Sequence, residues 1–335
     1  MDTVTHIVLG ACVGDAVLGQ KVGKKALIAG AIAQTIPDID FISALWLSPA
    51  EQLLAHRGIT HSFLFIVVSA PVFAVIFRRL LFRQQKFSLL FFFLLIELVI
   101  HVFLDAFNNY GVGWFEPFFS YRLSFNAVYV ADILMIAVPL ISFAALLVVP
   151  AFSTNRFKWS ALGIVWTFVY LGISIFNKSL INTQTNKVFT EIKMSHYSLL
   201  TTPAPLQNML WMVVAGDGKG YFVGYRSVFD GDIHPRLTYF PKNEHLLDSL
   251  SDHREVQLLK RFSQDYYTVE KWNDTIVFND LRFGQIIGWH DPKERFVFHY
   301  FLQHKADNRL VVQRGRFAKW DCQTTTSFIR RIKGN

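Results

Sequence analysis

Cysteine is nearly absent from this sequence. Cys12 and Cys322 are the only two, one in each half of the chain. That excludes a thiolate zinc site of the CxxC kind and leaves a disulfide framework without support. Charge is scarce as well: 17% of residues are Asp, Glu, Lys or Arg, against 52% hydrophobic. An ordinary soluble domain carries about 25% charged residues. Internal repeats and low-complexity tracts are missing, which removes solenoid and disordered architectures. The Gly216-Asp217-Gly218-Lys219-Gly220 cluster lacks the GxxxxGK[ST] spacing, so it is not a phosphate loop. The net charge of +8 is not gathered into a basic patch interleaved with aromatics, so no nucleic-acid partner is expected. The N-terminus has no basic leader, and its first apolar run carries His6 and Asp15, which argues against a cleavable signal peptide.

What is present is apolar length. The mean hydropathy is +0.30, and this average hides a division. Nearly all long apolar runs precede residue 180, and most of the charge follows it. The expected fold is an α-helical polytopic membrane bundle of about four to six membrane helices, followed by a small α+β soluble domain with an antiparallel sheet. Residues 1–180 form the membrane-embedded domain in this reading, and residues 181–335 the soluble one.

Six helical segments can be drawn in the first half: Val4–Gly19, Lys25–Leu47, Ser62–Phe82, Ser88–Phe107, Ala127–Val149 and Lys158–Phe176. The second is broken by Pro37, Asp38 and Asp40, so the first two segments read as full spans or as half-helices. In the second half, Leu206–Val214 and Tyr221–Phe229 read as a hairpin around the glycine-rich turn. Glu244–Phe262 reads as an amphipathic helix, and Asn182–Tyr197 as a helix leaving the membrane. Thr268–Phe278, Gly284–Trp289, Phe296–Leu302 and Leu310–Arg314 read as strands.

Basic residues fall in alternate loops. Lys21, Lys24 and Lys25 follow the first segment, Arg78, Arg79, Arg83 and Lys86 the third, and Arg156 and Lys158 the fifth. Placing these loops in the cytoplasm puts the C-terminal domain on the non-cytoplasmic side of a multi-pass inner (plasma) membrane protein. At 1.5 Å per residue, His6 then lies ~22 Å from Lys21, Asp38 ~20 Å from Lys25, His61 ~25 Å from Arg78 and His101 ~22 Å from Lys86. Four polar positions from four segments share one layer toward the outer face. Asp132 stands at its mouth.

Ionisable groups inside a membrane are costly and point to function. His101 and Asp105 are four apart and share a helix face with Glu97. Each has a plain alternative: His101 and Asp105 can bond one another, and Glu97 can be structural. Asp38 and Asp40 follow a helix-ending proline; they can chelate a metal or simply stop the helix. His56 and His61 flank Arg57-Gly58, where the glycine would permit a tight bend and Arg57 could hold a phosphate oxygen. Thr60 or Ser62 reads as a helix cap. His and carboxylate donors without thiolate suit Zn²⁺ first, with Mn²⁺ second, as a single ion or a di-metal pair. His196, His234, His245, His253, His290, His299 and His304 show no ligand spacing.

Several of these motifs occur in a recognisable order: Met1-Asp2-Thr3-Val4-Thr5-His6, Gly10 and Gly14, Pro37-Asp38-Ile39-Asp40, His56-Arg57-Gly58-Ile59-Thr60-His61-Ser62, His101 to Asp105, Asn108-Asn109-Tyr110-Gly111 and Pro117-Phe118. Over roughly residues 1–180 the sequence resembles the bacterial membrane-bound metal-dependent hydrolases, inner-membrane proteins of the DUF457 group. The resemblance implies a divalent-metal site made by His6, Asp38, Asp40, His56, His61, His101 and Asp105; the depth count adds Asp132. The expected function is hydrolysis by a metal-activated water near the outer membrane face, with Asp105 or Asp40 as base and Arg57 holding an anionic group. The expected substrate is a phosphoester or another lipid-linked molecule of the membrane. A metal-handling transporter, or a non-catalytic envelope protein with a structural metal site, are the alternatives.

Overall fold

The computed structural model describes residues 1–191, 198–231, 236–248, 250, 252–303, 308 and 317–334. Two compact units emerge, one of residues Met1–Leu45 and Ala55–Ile173, the other of Trp46–Leu54 and Ser174–Asn335.

The first unit is helical. α1 (Thr3–Val22) and α2 (Lys25–Thr35) are followed by a 3₁₀ segment, Pro37–Leu45. After α3 (Pro49–Ala55), which the second unit largely contains, come a short 3₁₀ turn (Ile59–His61), α4 (Phe63–Leu80), α5 (Phe87–Asp105), α6 (Ile133–Val148) and the start of α7 (Asn155–Glu191). Among the described residues α1, α4, α5 and α7 are long and apolar enough to cross a membrane. α2 and Pro37–Leu45 make a fifth span if taken together, bent by 53° at Pro37. α6, at 16 residues, is apolar but shorter. Proline explains the bend, since it has no N–H to continue the helix ladder. The outer faces of α4, α5 and α7 expose Val67, Val72, Phe92, Ile96, Val165 and Phe168, as surfaces facing hydrocarbon should.

α1 and α2 approach through small residues. A Cβ on Gly30 would stand 1.9 Å from the Gly10 carbonyl oxygen, and one on Gly14 2.4 Å from that of Ala26. Only glycine permits this spacing, the small-residue packing common between membrane helices. Beside it Leu18, Ala26, Ala29 and Ala33 pack with Ile66, Phe93, Leu94 and Leu98 in one buried core. Next to Gly14 on α1, Asp15 pairs with Arg156, and Ser160 Oγ donates to it at 2.9 Å. Arg156 also donates to the carbonyls of Leu146 and Val149. Arg156 is therefore a buried structural cation rather than a free loop charge, and its weight in the topology count falls.

The second unit holds two antiparallel meanders where the sequence led to one sheet. The first runs β1 (Ser198–Pro203), β2 (Leu210–Gly216), β3 (Gly220–Ser227), β4 (Thr238–Pro241); the second runs β5 (Tyr267–Trp272), β6 (Thr275–Gln285), β7 (Phe296–Phe301). β2 and β3 form a hairpin whose turn is closed by Asp217 Oδ1, which accepts from Lys219 and Gly220 N–H. Thr268–Phe278 is not one strand, because Asn273, with φ 51°, turns the chain between β5 and β6. The amphipathic segment divides into a 3₁₀ turn (Glu244–Leu247) and α8 (His253–Ser263). β1 hid behind Thr202-Pro203-Ala204-Pro205, which reads as a boundary. α9 (Cys322–Ile332), started by an Asp321–Thr324 capping box, carried no expectation. Lys158–Phe176 and the start of Asn182–Tyr197 belong to one 37-residue helix, α7. Leu310–Arg314, with His196, His234 and His304, lies outside the described residues.

Candidate metal centre

The site begins with Pro37. By ending α2 it leaves carbonyls of the last turn without helical partners. One of them, Gln34 O, accepts the Nδ1–H of His101 at 2.5 Å. That bond fixes the tautomer and leaves Nε2 of His101 with a lone pair pointing the other way. His61 is set in the same manner from the opposite wall. Its Nδ1 lies 3.0 Å from Thr60 Oγ1 and 3.5 Å from Asp40 Oδ2, so its Nε2 also faces inward. Burial pushes the His61 imidazole down to about 3, so the ring is neutral.

The two Nε2 atoms stand 3.1 Å apart. Around them lie Asp105 Oδ2, at 3.3 Å from His61 and 3.6 Å from His101, and Asp38 Oδ1, at 3.7 and 3.6 Å. Four donors of a tetrahedral zinc site are about 3.3 Å apart, from bonds of ~2.0–2.1 Å. The four atoms all lie within 4.8 Å of one another. Asp105 Oδ2 is fully buried, with Arg57 Nε 2.9 Å away. Arg57 and the Met1 ammonium balance the Asp105 charge, but two imidazole lone pairs facing one another beside two carboxylate oxygens are the donor set of a divalent metal, and these residues fit one. His61, His101 and Asp105 are inaccessible; Asp38, with 24% of its side chain exposed, is the open side.

The remaining expected residues take other places. His6 stacks on His101, ring centres 3.9 Å apart, and its Nε2 meets Asp105 Oδ1 at 3.1 Å. It bonds the Asp105 carboxylate from outside the group of four donors. Asp40 accepts from Arg57 N–H at 2.8 Å and Thr60 Oγ1 at 3.3 Å, and bonds His56 Nδ1 at 3.1 Å. Those bonds engage both its oxygens, and Asp40 stands outside the group of four donors. His56 stands 6.3 Å from His61, ring centre to ring centre, outside the donor group and partly exposed.

Arg57 is corrected most. It is buried, with Nε 2.9 Å from Asp105 Oδ2, Nη1 donating to Asn108 Oδ1 at 2.6 Å and Nη2 to the Met1 carbonyl at 2.9 Å. Its guanidinium also lies over the Tyr110 ring. No face is left for a substrate anion, so it positions Asp105. The bend expected at Gly58 is made at Arg57, whose φ is 60°, while Gly58 has an ordinary φ of −84°. This left-handed residue is held by Asp40 on its N–H and by Gly113 N–H on its carbonyl. Asp132 does not reach the site either. It caps α6 through Leu134 and Met135 N–H and takes both carboxyl oxygens to Tyr170 Oη at 2.8 Å. Ser62 is the cap of α4, through Phe65 N–H, whereas Thr60 serves His61.

Gln34 and Arg122 were not expected. An amide carries no motif of its own; the signal for Gln34 was the proline three residues later. Arg122 donates to the carbonyls of His56 and Gly111 and ties the loop after α5 to the turn before α4.

Comparison with known proteins fits this architecture. The YdjM inner membrane protein family matches residues 1–181. The chain belongs to the YdjM inner membrane protein family. That match contains every residue of the centre, and the strands of the second unit lie beyond it. Two relatives are similar over part of their length. The uncharacterized protein YfhP of Bacillus subtilis (strain 168) is 36% identical over 128 residues, which is 35% of this chain and 38% of that protein. The inner membrane protein YbcI of Escherichia coli (strain K12) is 31% identical over 121 residues, 36% of this chain and 69% of that protein. No solved structure matches the chain significantly.

Proposed function

We propose that this YdjM-family protein is a metal-dependent hydrolase of the inner membrane, with Asp38, His61, His101 and Asp105 holding the metal. Zn²⁺ suits the neutral imidazoles and their tetrahedral spacing best, and Mn²⁺ is second. The observation that carries the reading is the convergence of two Nε2 atoms at 3.1 Å with a carboxylate oxygen each of Asp38 and Asp105, all within 4.8 Å of one another. A divalent ion held there supplies Lewis acidity and brings the pKa of a bound water to about 7. The residues around it have separate tasks. Asp40 and Gln34 fix the imidazoles, and Arg57 and His6 fix Asp105. His56, backed by Asp40 and partly exposed, is the group placed to carry a proton to or from water.

Lipid-linked substrates are supported by the surroundings of Asp38. Ile39, Phe41 and Ile42 are exposed on its own 3₁₀ segment, as are Phe63 at the start of α4 and Phe115, Phe118 and Phe119 in the loop after α5. Aromatic and apolar residues in such positions mark a membrane–water boundary. An ester or phosphoester at headgroup depth is the substrate class proposed. The alternate placing of Lys21, Lys24 and Lys25 and of Arg78, Arg79, Arg83 and Lys86 supports a non-cytoplasmic C-terminal unit. A reporter fused after residue 335 tests this, and cytoplasmic reporter activity contradicts it.

One observation favours a second reading. Four protein donors complete a tetrahedral shell, as structural zinc sites do, whereas catalytic sites keep a position open. The deciding experiment is purification in detergent, measurement of bound metal, and assay on phosphoester, carboxyl-ester and phospholipid substrates beside His61→Ala and Asp105→Ala. Metal-dependent turnover lost in both variants supports the hydrolase. Bound metal with no turnover on any substrate class supports a non-catalytic envelope protein.

A further inference from the structure

Glu97 lies in the middle of α5, and no part of it reaches the surface. It stands four residues before His101, on the stripe that also carries Asp105. Its carboxyl group faces the side chain of Gln34. Neither of its oxygens completes a hydrogen bond, and neither does Nε2 of Gln34. Unpaired buried polar atoms are expensive and native proteins keep few of them, so three in one place call for a cause.

Gln34 links this level to the metal centre, because its side-chain oxygen lies 3.3 Å from His6 Nδ1, and His6 Nε2 lies 3.1 Å from Asp105 Oδ1. A carboxylate accepts only, so His6 should present its Nε2–H to Asp105. A neutral ring then has Nδ1 free to accept. A half-turn of the Gln34 amide supplies the donor: Nε2–H toward His6 Nδ1, and Oε1 toward Glu97. The last link needs a donor from Glu97, which a protonated carboxyl provides. Every orphan but one carboxyl oxygen is then satisfied, with no charge added beside the apolar core.

We propose that Glu97, carrying its proton, is a positioning residue of the metal centre, the far end of a relay Glu97–Gln34–His6–Asp105 that orients a ligand carboxylate. The inference rests on the metal reading for its consequence, but not for its existence. Partners that orient metal ligands commonly change affinity 10–100-fold when removed.

The test uses the full chain in detergent. In the wild type, infrared spectroscopy should show a protonated-carboxyl carbonyl band that Glu97→Gln removes. Glu97→Leu and Gln34→Leu should each weaken Zn²⁺ binding 10–100-fold, whereas Glu97→Gln, which keeps a donor, should stay within about threefold of wild type. In thermal melts without metal, the double variant Gln34→Leu/Glu97→Leu should lose less Tm than the two single losses together. Absence of the band, or additive Tm losses, overturns the relay. A wild type that shows band and coupling yet binds no metal keeps the relay and removes the metal reading.

Discussion

Gly30→Ala adds one methyl group at the tightest point between α1 and α2. The new Cβ would sit 1.9 Å from the Gly10 carbonyl oxygen, 2.6 Å from its carbon and 3.0 Å from Gly14 Cα. All three are backbone atoms, so no rotamer change relieves the clash. Ordinary contact starts near 3.4 Å, and the helices must part by about 1.5 Å at this level. Overpacking of this kind costs about 1–3 kcal/mol, and a rigid backbone contact belongs at the upper end. Alanine returns about 1 kcal/mol through helix propensity, which leaves a net loss of about 2 kcal/mol. The same displacement reaches the metal centre, because the 3.3 Å contact between His6 and Gln34 bridges these two helices. Zn²⁺ affinity should fall at least tenfold, as for loss of a supporting partner. Gly172→Ala is the control, since nothing lies within 4 Å of a Cβ there; it should be neutral or stabilising by up to about 1 kcal/mol. Thermal melts of both variants in detergent, with and without Zn²⁺, read the two effects. A Gly30→Ala protein that melts at or above wild type and binds metal equally well would refute the close-packing argument.

Other perturbations separate structural from functional charge. Arg156→Met leaves Asp15 buried without its cation and should cost about 3–5 kcal/mol in detergent melts, while Arg156→Met with Asp15→Leu should recover most of it. In the second unit, the hydrogen bonds of Lys260 and Tyr267 hold the Glu244 carboxyl down at about 2. A depressed carboxylate contributes stability above its unfolded pKa of about 4.3 and loses it as pH falls toward 2. Glu244 is half-exposed, so screening limits the effect to under about 1 kcal/mol; Glu244→Gln should flatten the slope of stability against pH between about 4.3 and 2, as read by urea melts. Ser62→Ala removes the cap of α4 and should cost about 1 kcal/mol without changing metal affinity by more than a few-fold.

The sequence and the structure part company for physical reasons. Helix depth could be counted because membrane spans are uniform in rise and bounded by basic loops. That count points to His6, Asp38, His61 and His101, which stand side by side in the folded chain. The count says nothing about rotation around a helix axis, and so it also admitted Asp132, whose carboxylate turns instead to Tyr170. Arg57 beside two histidines reads like an anion holder, and only its contacts with Asp105, Asn108 and the Met1 carbonyl show that it is spent inside the protein. Gln34 was invisible because amides occur everywhere; its role follows from a carbonyl released by Pro37. In the C-terminal unit Leu206–Val214, Tyr221–Phe229 and Phe296–Leu302 were legible as strands, whereas Gly284–Trp289 leaves the strand after Gln285 and turns. The turn at Asn273 and strand β1 depend on left-handed backbone and on pairing, which periodicity does not record.

The central claim is that Asp38, His61, His101 and Asp105 hold one divalent metal ion. Anomalous X-ray diffraction at the zinc edge, from crystals of the Zn²⁺-loaded protein, tests it directly. The account predicts a single strong peak within bonding distance of His61 Nε2, His101 Nε2, Asp38 Oδ1 and Asp105 Oδ2, lost in His101→Ala. No peak there in zinc-saturated wild-type crystals would contradict it.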